Sequence, residues 1–130
     1  MTDSMITAIT PLSMADAEAR LRETLAGDGF GVLTEVDVPT VMQQKLGITV
    51  DPYRILGVCN PTLAHEAMQI WKGFGLIAPC HVALYDVGDH RVVVAFDPTS
   101  VPEVHENAAL FDLATRARDA VARAVKSVEA

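Results

Sequence analysis

The chain has 130 residues, half of them hydrophobic, with 10 basic against 17 acidic side chains and a formal net charge of −7. That apolar content excludes intrinsic disorder, and a domain of this length buries roughly 70% of its unfolded surface, so it needs no disulfide or metal to fold. The acidic balance repels phosphate backbones, and no run approaches the ~18 apolar residues of a membrane span, so neither nucleic acid nor a bilayer is the expected partner.

The first element is a short apolar run, Met5 to Ile9, closed by Thr10-Pro11 and expected to be a strand. Ser13 offers an N-cap with Asp16 in the first turn, and Met14, Ala17, Leu21 and Leu25 recur at helical spacing until Gly27-Asp28-Gly29. Phe30 to Val36 alternates, which predicts a strand with Val32, Thr34 and Val36 on one side and Leu33 and Glu35 on the other. Thr40 to Leu46 reads as a short helix ended by Gly47, and Ile48 to Pro52 as a connection.

Tyr53 to Cys59 is the next expected strand. Asn60-Pro61 after it signals a helix start, with Asn as cap and Pro in the first turn. Leu63, Ala67, Ile70 and Trp71 form the expected buried face of that helix, which ends near Gly73. Leu76 to Tyr85 and His90 to Phe96, joined by Asp86-Val87-Gly88-Asp89, read as an antiparallel hairpin closed by Asp97-Pro98. Asn107 then caps a last helix with Leu110, Leu113, Ala117, Val121, Ala124 and Val128 on one face. Its length of about 30 Å, at ~1.5 Å per residue, is enough to cross a whole sheet. Arg116, Arg118, Arg123 and Lys126 alternate there with acids and predict a solvated face, not a nucleic-acid stripe.

This order predicts one α+β domain: a mostly antiparallel sheet with helices packed on one face. Met1 to Leu12 lacks the basic and long apolar stretches of a secretory leader, and two cysteines make no disulfide framework. The cytoplasm is the expected compartment.

Few residues promise chemistry. Cys59 stands at a strand end just before the Asn60 cap, where a helix N-terminus can stabilise a thiolate; the plainer reading is a small apolar filler. Cys80 follows Pro79, which blocks a ladder hydrogen bond and marks an edge, a bulge or a strand start. Strand alternation sets Cys80 and His81 on opposite faces unless that break lets them converge. If Cys59 and Cys80 face one another, they can form a reversible dithiol, or hold a soft metal together with His65, His81 or Met68.

No CxxC, HxH or HExxH spacing occurs, and no GxSxG, GxGxxG or phosphate-loop motif. Glu35 and Asp37 allow a carboxylate pair but read more simply as solvated acids, and His90 and His105 as surface residues. Met68, Trp71 and Phe74 cluster near the end of one helix, as core or as a pocket wall.

The run Tyr53-Arg54-Ile55-Leu56-Gly57-Val58-Cys59-Asn60-Pro61, Ala64 in the next helix, and Gly75-Leu76-Ile77-Ala78-Pro79-Cys80 resemble the DUF302 domain family. Glu35-Val36-Asp37, Lys45-Leu46-Gly47 and Asp97-Pro98 fit the same pattern, so the resemblance spans nearly the whole chain. It implies a β-α-β(4)-α domain of the TATA-binding-protein-like class and a homodimer. Family members more often have Asn after the second cysteine, where this chain has His81, a titratable nitrogen donor. Cys59 and Cys80 match the family's motif cysteines.

Three functional readings follow. The first is a binding or sensing domain for a small ligand, soft metal or sulfur species, with Cys59 and Cys80 as thiols and His81 or His65 as a further donor. The second is a thiol enzyme with Cys80 as nucleophile and Cys59 as resolving thiol. The third is a structural homodimer in which both cysteines are core filler. No particular cofactor is indicated.

Overall fold

Apolar runs set the strands of this protein, and capping and turn residues set their ends. The computed structural model describes residues 5–129; residues 1–4 and 130, including the start of the segment read for a leader, lie outside them. The order is β1 (Met5–Thr10), α1 (Met14–Gly27), β2 (Gly31–Asp37), α2 (Val38–Leu46), β3 (Tyr53–Cys59), α3 (Pro61–Ile70), β4 (Cys80–Asp86), β5 (Arg91–Phe96) and α4 (Ala108–Ser127). Short 3-10 turns fill Lys72–Leu76, Pro98–Ser100 and Pro102–Glu106.

The strands form one five-stranded sheet in the order β1-β5-β4-β3-β2, with every neighbouring pair antiparallel. This is the expected α+β architecture, β-α-β(4)-α with the short α2 and α3 inserted between strands.

Alternation gives the sheet two unlike faces. Ala8, Val93, Leu84, Leu56 and Val82 point to one side and pack with Leu21 and Leu25 of α1 and Val121 and Val125 of α4 in a single core. The caps that position those helices are the expected ones: the Ser13 hydroxyl accepts from Asp16 N at 3.1 Å, and Asn107 Oδ1 accepts from Leu110 N at 3.0 Å. The other face carries the row Thr7, Val94, Ala83, Ile55 and Val36, each directly opposite the next.

The structure corrects the sequence reading at several points. β4 begins at Cys80, not at Leu76: Pro79 has no N–H for the ladder, and the residues before it coil into a 3-10 turn that leaves Leu76 87% exposed. A bulge between Val32 and Thr34 makes Leu33 the extra residue. Val32 therefore faces the core with Val58, while Thr34 and Val36 face away with Gly57 and Ile55. On α3, Ala67 is buried and Leu63 half-buried, but Ile70 is exposed because the chain leaves the helix at Trp71.

Candidate functional site

The end of β3 and the start of β4 lie side by side, with Val58 opposite Cys80. Above them, α3 springs from Asn60, whose Oδ1 accepts from Thr62 N at 3.0 Å and Leu63 N at 3.2 Å. The Asn60 amide also donates to the Asp28 carbonyl at 3.3 Å, tying α3 to the turn after α1. Gly29 makes that approach possible, since its φ of 80° is left-handed and a β-carbon there would lie 3.1 Å from the Asn60 amide nitrogen.

Between these parts lies a half-open apolar cavity of about 20 Å³. Val58, Cys59 and Cys80 line it from the sheet, Leu63 and Ala64 from α3, and Leu113 and Ala117 from α4. Phe30 and Asn60, with Phe74 and Ala78 of the 72–80 segment, close its rim. Both cysteines are free thiols: Cys80 is 6% exposed and Cys59 half-buried.

The electrostatics oppose thiolate formation. Burial pushes the Cys59 thiol above its ordinary value. Burial, then the neighbouring charges of Cys59 and Asp97, push Cys80 up to about 11. The helix N-terminus does not offset this, because the Asn60 side chain already takes the amides of Thr62 and Leu63. The thiolate that the strand-end position of Cys59 suggested is therefore disfavoured by desolvation.

Sequence reasoning passed over Asp97. Extending the β4–β5 register beyond Val82 and Ala95 sets this acid across from Cys80, and it is 9% exposed. Its Oδ1 accepts from Thr99 N at 2.8 Å and from the Thr99 hydroxyl at 2.7 Å. Asp97-Pro98 read only as the end of a hairpin, and nothing in that dipeptide signals a neighbouring thiol.

The other candidates disperse. His81 is exposed and points from the sheet face opposite Cys80, so the break at Pro79 does not make the two converge. His65 and Met68 are exposed on α3, and neither lines the cavity. Among the described residues, no group of three or more His, Cys, Asp or Glu stands close enough to hold a metal ion.

Glu35 and Asp37 have separate partners and form no carboxylate pair. Glu35 accepts from Arg54 at 2.6 Å, and Asp37 accepts from the Thr40 hydroxyl at 2.9 Å. His90 Nδ1 lies 2.6 Å from Asp89, and His105 Nε2 lies 2.6 Å from the Thr99 carbonyl. Phe74 is buried, meets Trp71 in a T-shaped contact with ring centroids 6.4 Å apart, and walls the cavity, whereas Met68 does not.

Residues 6–128 match the family model described as a domain of unknown function, DUF302. The chain also superposes on a crystal structure of an uncharacterized conserved DUF302 protein from Bacillus stearothermophilus. The TM-score is 0.87 and the identity 26%, covering 98% of this chain and 100% of that one. No curated protein matches the chain. No described helix is long and apolar enough to cross a membrane.

Proposed function

The chain belongs to the DUF302 family, and we propose that it is a small binding or sensing domain whose cavity takes a compact, neutral, polarizable guest such as a sulfur species. One observation carries this reading: Cys59 and Cys80 line the same half-open apolar cavity. Its volume of about 20 Å³ compares with the roughly 10–15 Å³ that one water needs on the same measure, so the guest has about one or two non-hydrogen atoms.

Charge narrows the guest further. A soft monovalent metal would need both thiols deprotonated, against a Cys80 value of about 11, and a divalent ion would lack further ligands. A neutral guest meets neither cost. The raised thiols also weigh against a thiol enzyme, which works through a depressed pKa. The deep burial of Cys80 favours, as a second reading, core filler in a structural protein. Free thiols without a disulfide suit a reducing cytoplasm, where this reading places the chain.

The test is native mass spectrometry of the reduced protein, alone and after exposure to sulfide, Cu(I) or zinc. A stoichiometric mass increment with sulfide, lost in Cys80→Ala and in the cavity-filling Ala64→Leu, supports the reading. An increment with Cu(I) alone replaces the neutral guest with a soft metal. A mass unchanged by every probe leaves the structural reading.

A further inference from the structure

We propose that the thiol cavity opens into a charged vestibule, and that the two together take a zwitterionic aminothiol with its sulfur in the cavity and its amino-acid head outside. This rests on reading the cavity as a binding site. Phe30, Asn60 and Leu63 wall both spaces, so the rim of the cavity on that side is the inner wall of the vestibule. Helix α4 runs along both. Ala117 lines the cavity, and Ala120, its neighbour three residues on along the same helix face, lines the vestibule. Alanine at both positions keeps that wall low.

Size sets the shape of the ligand. The vestibule holds about 300 Å³, at the small end of ligand pockets, which run from roughly 300 to 1,000 Å³. The cavity, at about 20 Å³, admits only about one or two non-hydrogen atoms. A ligand that fills both is narrow at its tip and broad behind it. An amino-acid thiol has this form: a sulfur and a methylene, then a branch bearing an ammonium and a carboxylate. Its tip also suits the apolar cavity, since a thiol of ordinary pKa, about 8.5, is mostly neutral near pH 7.

Charge selects the head. Arg116, Arg123, Asp28 and Asp119 line the vestibule, a balanced set within a chain of net charge −7. A plain anion meets the aspartates and a plain cation the arginines, whereas a zwitterion matches both signs. The four groups are not equally free. Arg123 grips Asp28 through two nitrogens, each at 3.2 Å, and stays paired. Among the described residues, Arg116 reaches only Asp112 at 3.4 Å and Glu66 at 4.0 Å, and Asp119 meets one Arg118 nitrogen at 3.1 Å. Exposed contacts of that kind contribute little, so a ligand displaces them readily. Arg116 therefore takes the carboxylate, and Asp119, three residues on along α4, the ammonium.

A ¹H–¹⁵N NMR titration of the reduced full-length protein at neutral pH tests this, with L-cysteine as the probe. Cysteamine lacks the carboxylate, 3-mercaptopropionate the ammonium and L-serine the sulfur, and sulfide reports the cavity alone. L-cysteine is expected to shift the amides of residues 59–64 and 116–123 together, with each of the three analogues binding ~10-fold or more weakly. Arg116→Gln should weaken L-cysteine ~10-fold and cysteamine little, and Asp119→Asn should weaken L-cysteine but not 3-mercaptopropionate. Both side chains are about half exposed, so both variants fold. L-cysteine that binds no better than its analogues, or that ignores both substitutions, overturns the proposal. Binding of sulfide without L-cysteine overturns it and leaves the cavity reading standing, whereas silence toward both removes the two together.

Discussion

Alkylation of Cys80 follows directly from its surroundings. Its thiol is pushed from an ordinary 9.0 to about 11, by burial first and then by the charges of Cys59 and Asp97. Only the thiolate reacts, so at about pH 8 the reactive fraction falls from roughly one in ten to one in a thousand, ~100-fold. With the residue 6% exposed, steric protection adds to that figure and makes it a floor. Mass-resolved labelling with iodoacetamide, native against urea-unfolded, reads the ratio at each cysteine. The native pH–rate profile at Cys80 should keep rising beyond 9.0 toward 11.

The same shift couples to stability. The folded value lies above the unfolded one, so the contribution is intact below pH 9.0 and is lost as pH rises toward about 11. At ~1.36 kcal/mol per unit, the loss is about 2–3 kcal/mol. Urea unfolding near neutrality and near pH 11 should show most of it in the wild type and much less in Cys80→Ala, which keeps only the rise at Cys59. Native labelling as fast as in urea, or an inflection below 9.0, refutes the reasoning and returns weight to a reactive thiol.

Other substitutions test the supports of the site. Asp97→Asn removes the smallest of the causes that raise Cys80, after burial and Cys59, so native alkylation there should quicken only slightly, with the fold retained. Gly57→Ala forces a β-carbon against the Thr34 hydroxyl and within 3.1 Å of Pro79 Cγ, and should cost about 1–3 kcal/mol in urea unfolding. Glu18 accepts from Arg54 at 2.9 and 3.0 Å, and chiefly this holds its carboxyl below 4.5 despite partial burial, with Arg22 adding to it. That contribution is present above pH 4.5 and lost as pH falls through the folded value. Glu18→Gln should therefore be less stable by about 1 kcal/mol near neutrality and show a flatter acid limb in a pH–stability series.

Most of the fold was legible because its signals are local. Ser13, Asn60 and Asn107 announce helices by capping chemistry that depends only on the next few residues, and all three cap as expected. What the chain pattern hid depends on contacts across strands. Leu33 continues an alternating run in sequence, and only pairing with β3 shows that it is bulged out and that Val32 turns to the core. The reach of Leu76-Ile77-Ala78 was misread because an apolar run of that length suits a strand until the ladder is ended by Pro79. At the site, the apposition of β3 and β4 set Cys80 beside the end of β3, whereas a separation of twenty-one residues from Cys59 gave no hint of it. Asp97 stayed hidden because its relation to Cys80 exists only through the hairpin register.

Register is also what keeps the two faces distinct. A one-residue slip of β4 would carry His81 into the core and Cys80 out of the cavity, since successive side chains alternate. The middle of β4 resists such a slip poorly, because Ala83 in place of Val82 or Leu84 is equally apolar, which leaves His81 as the residue that opposes it. Other devices must therefore fix the pairing. Pro79 ends the β4 ladder at one position, Gly57 admits Thr34 and Pro79 over its bare α-carbon, and the bulge at Leu33 places Thr34 there. These residues cluster at the end of the sheet that borders the cavity. A change at Gly57 or Pro79 should therefore alter thiol protection at Cys80 and packing on the open face together, although neither residue belongs to both.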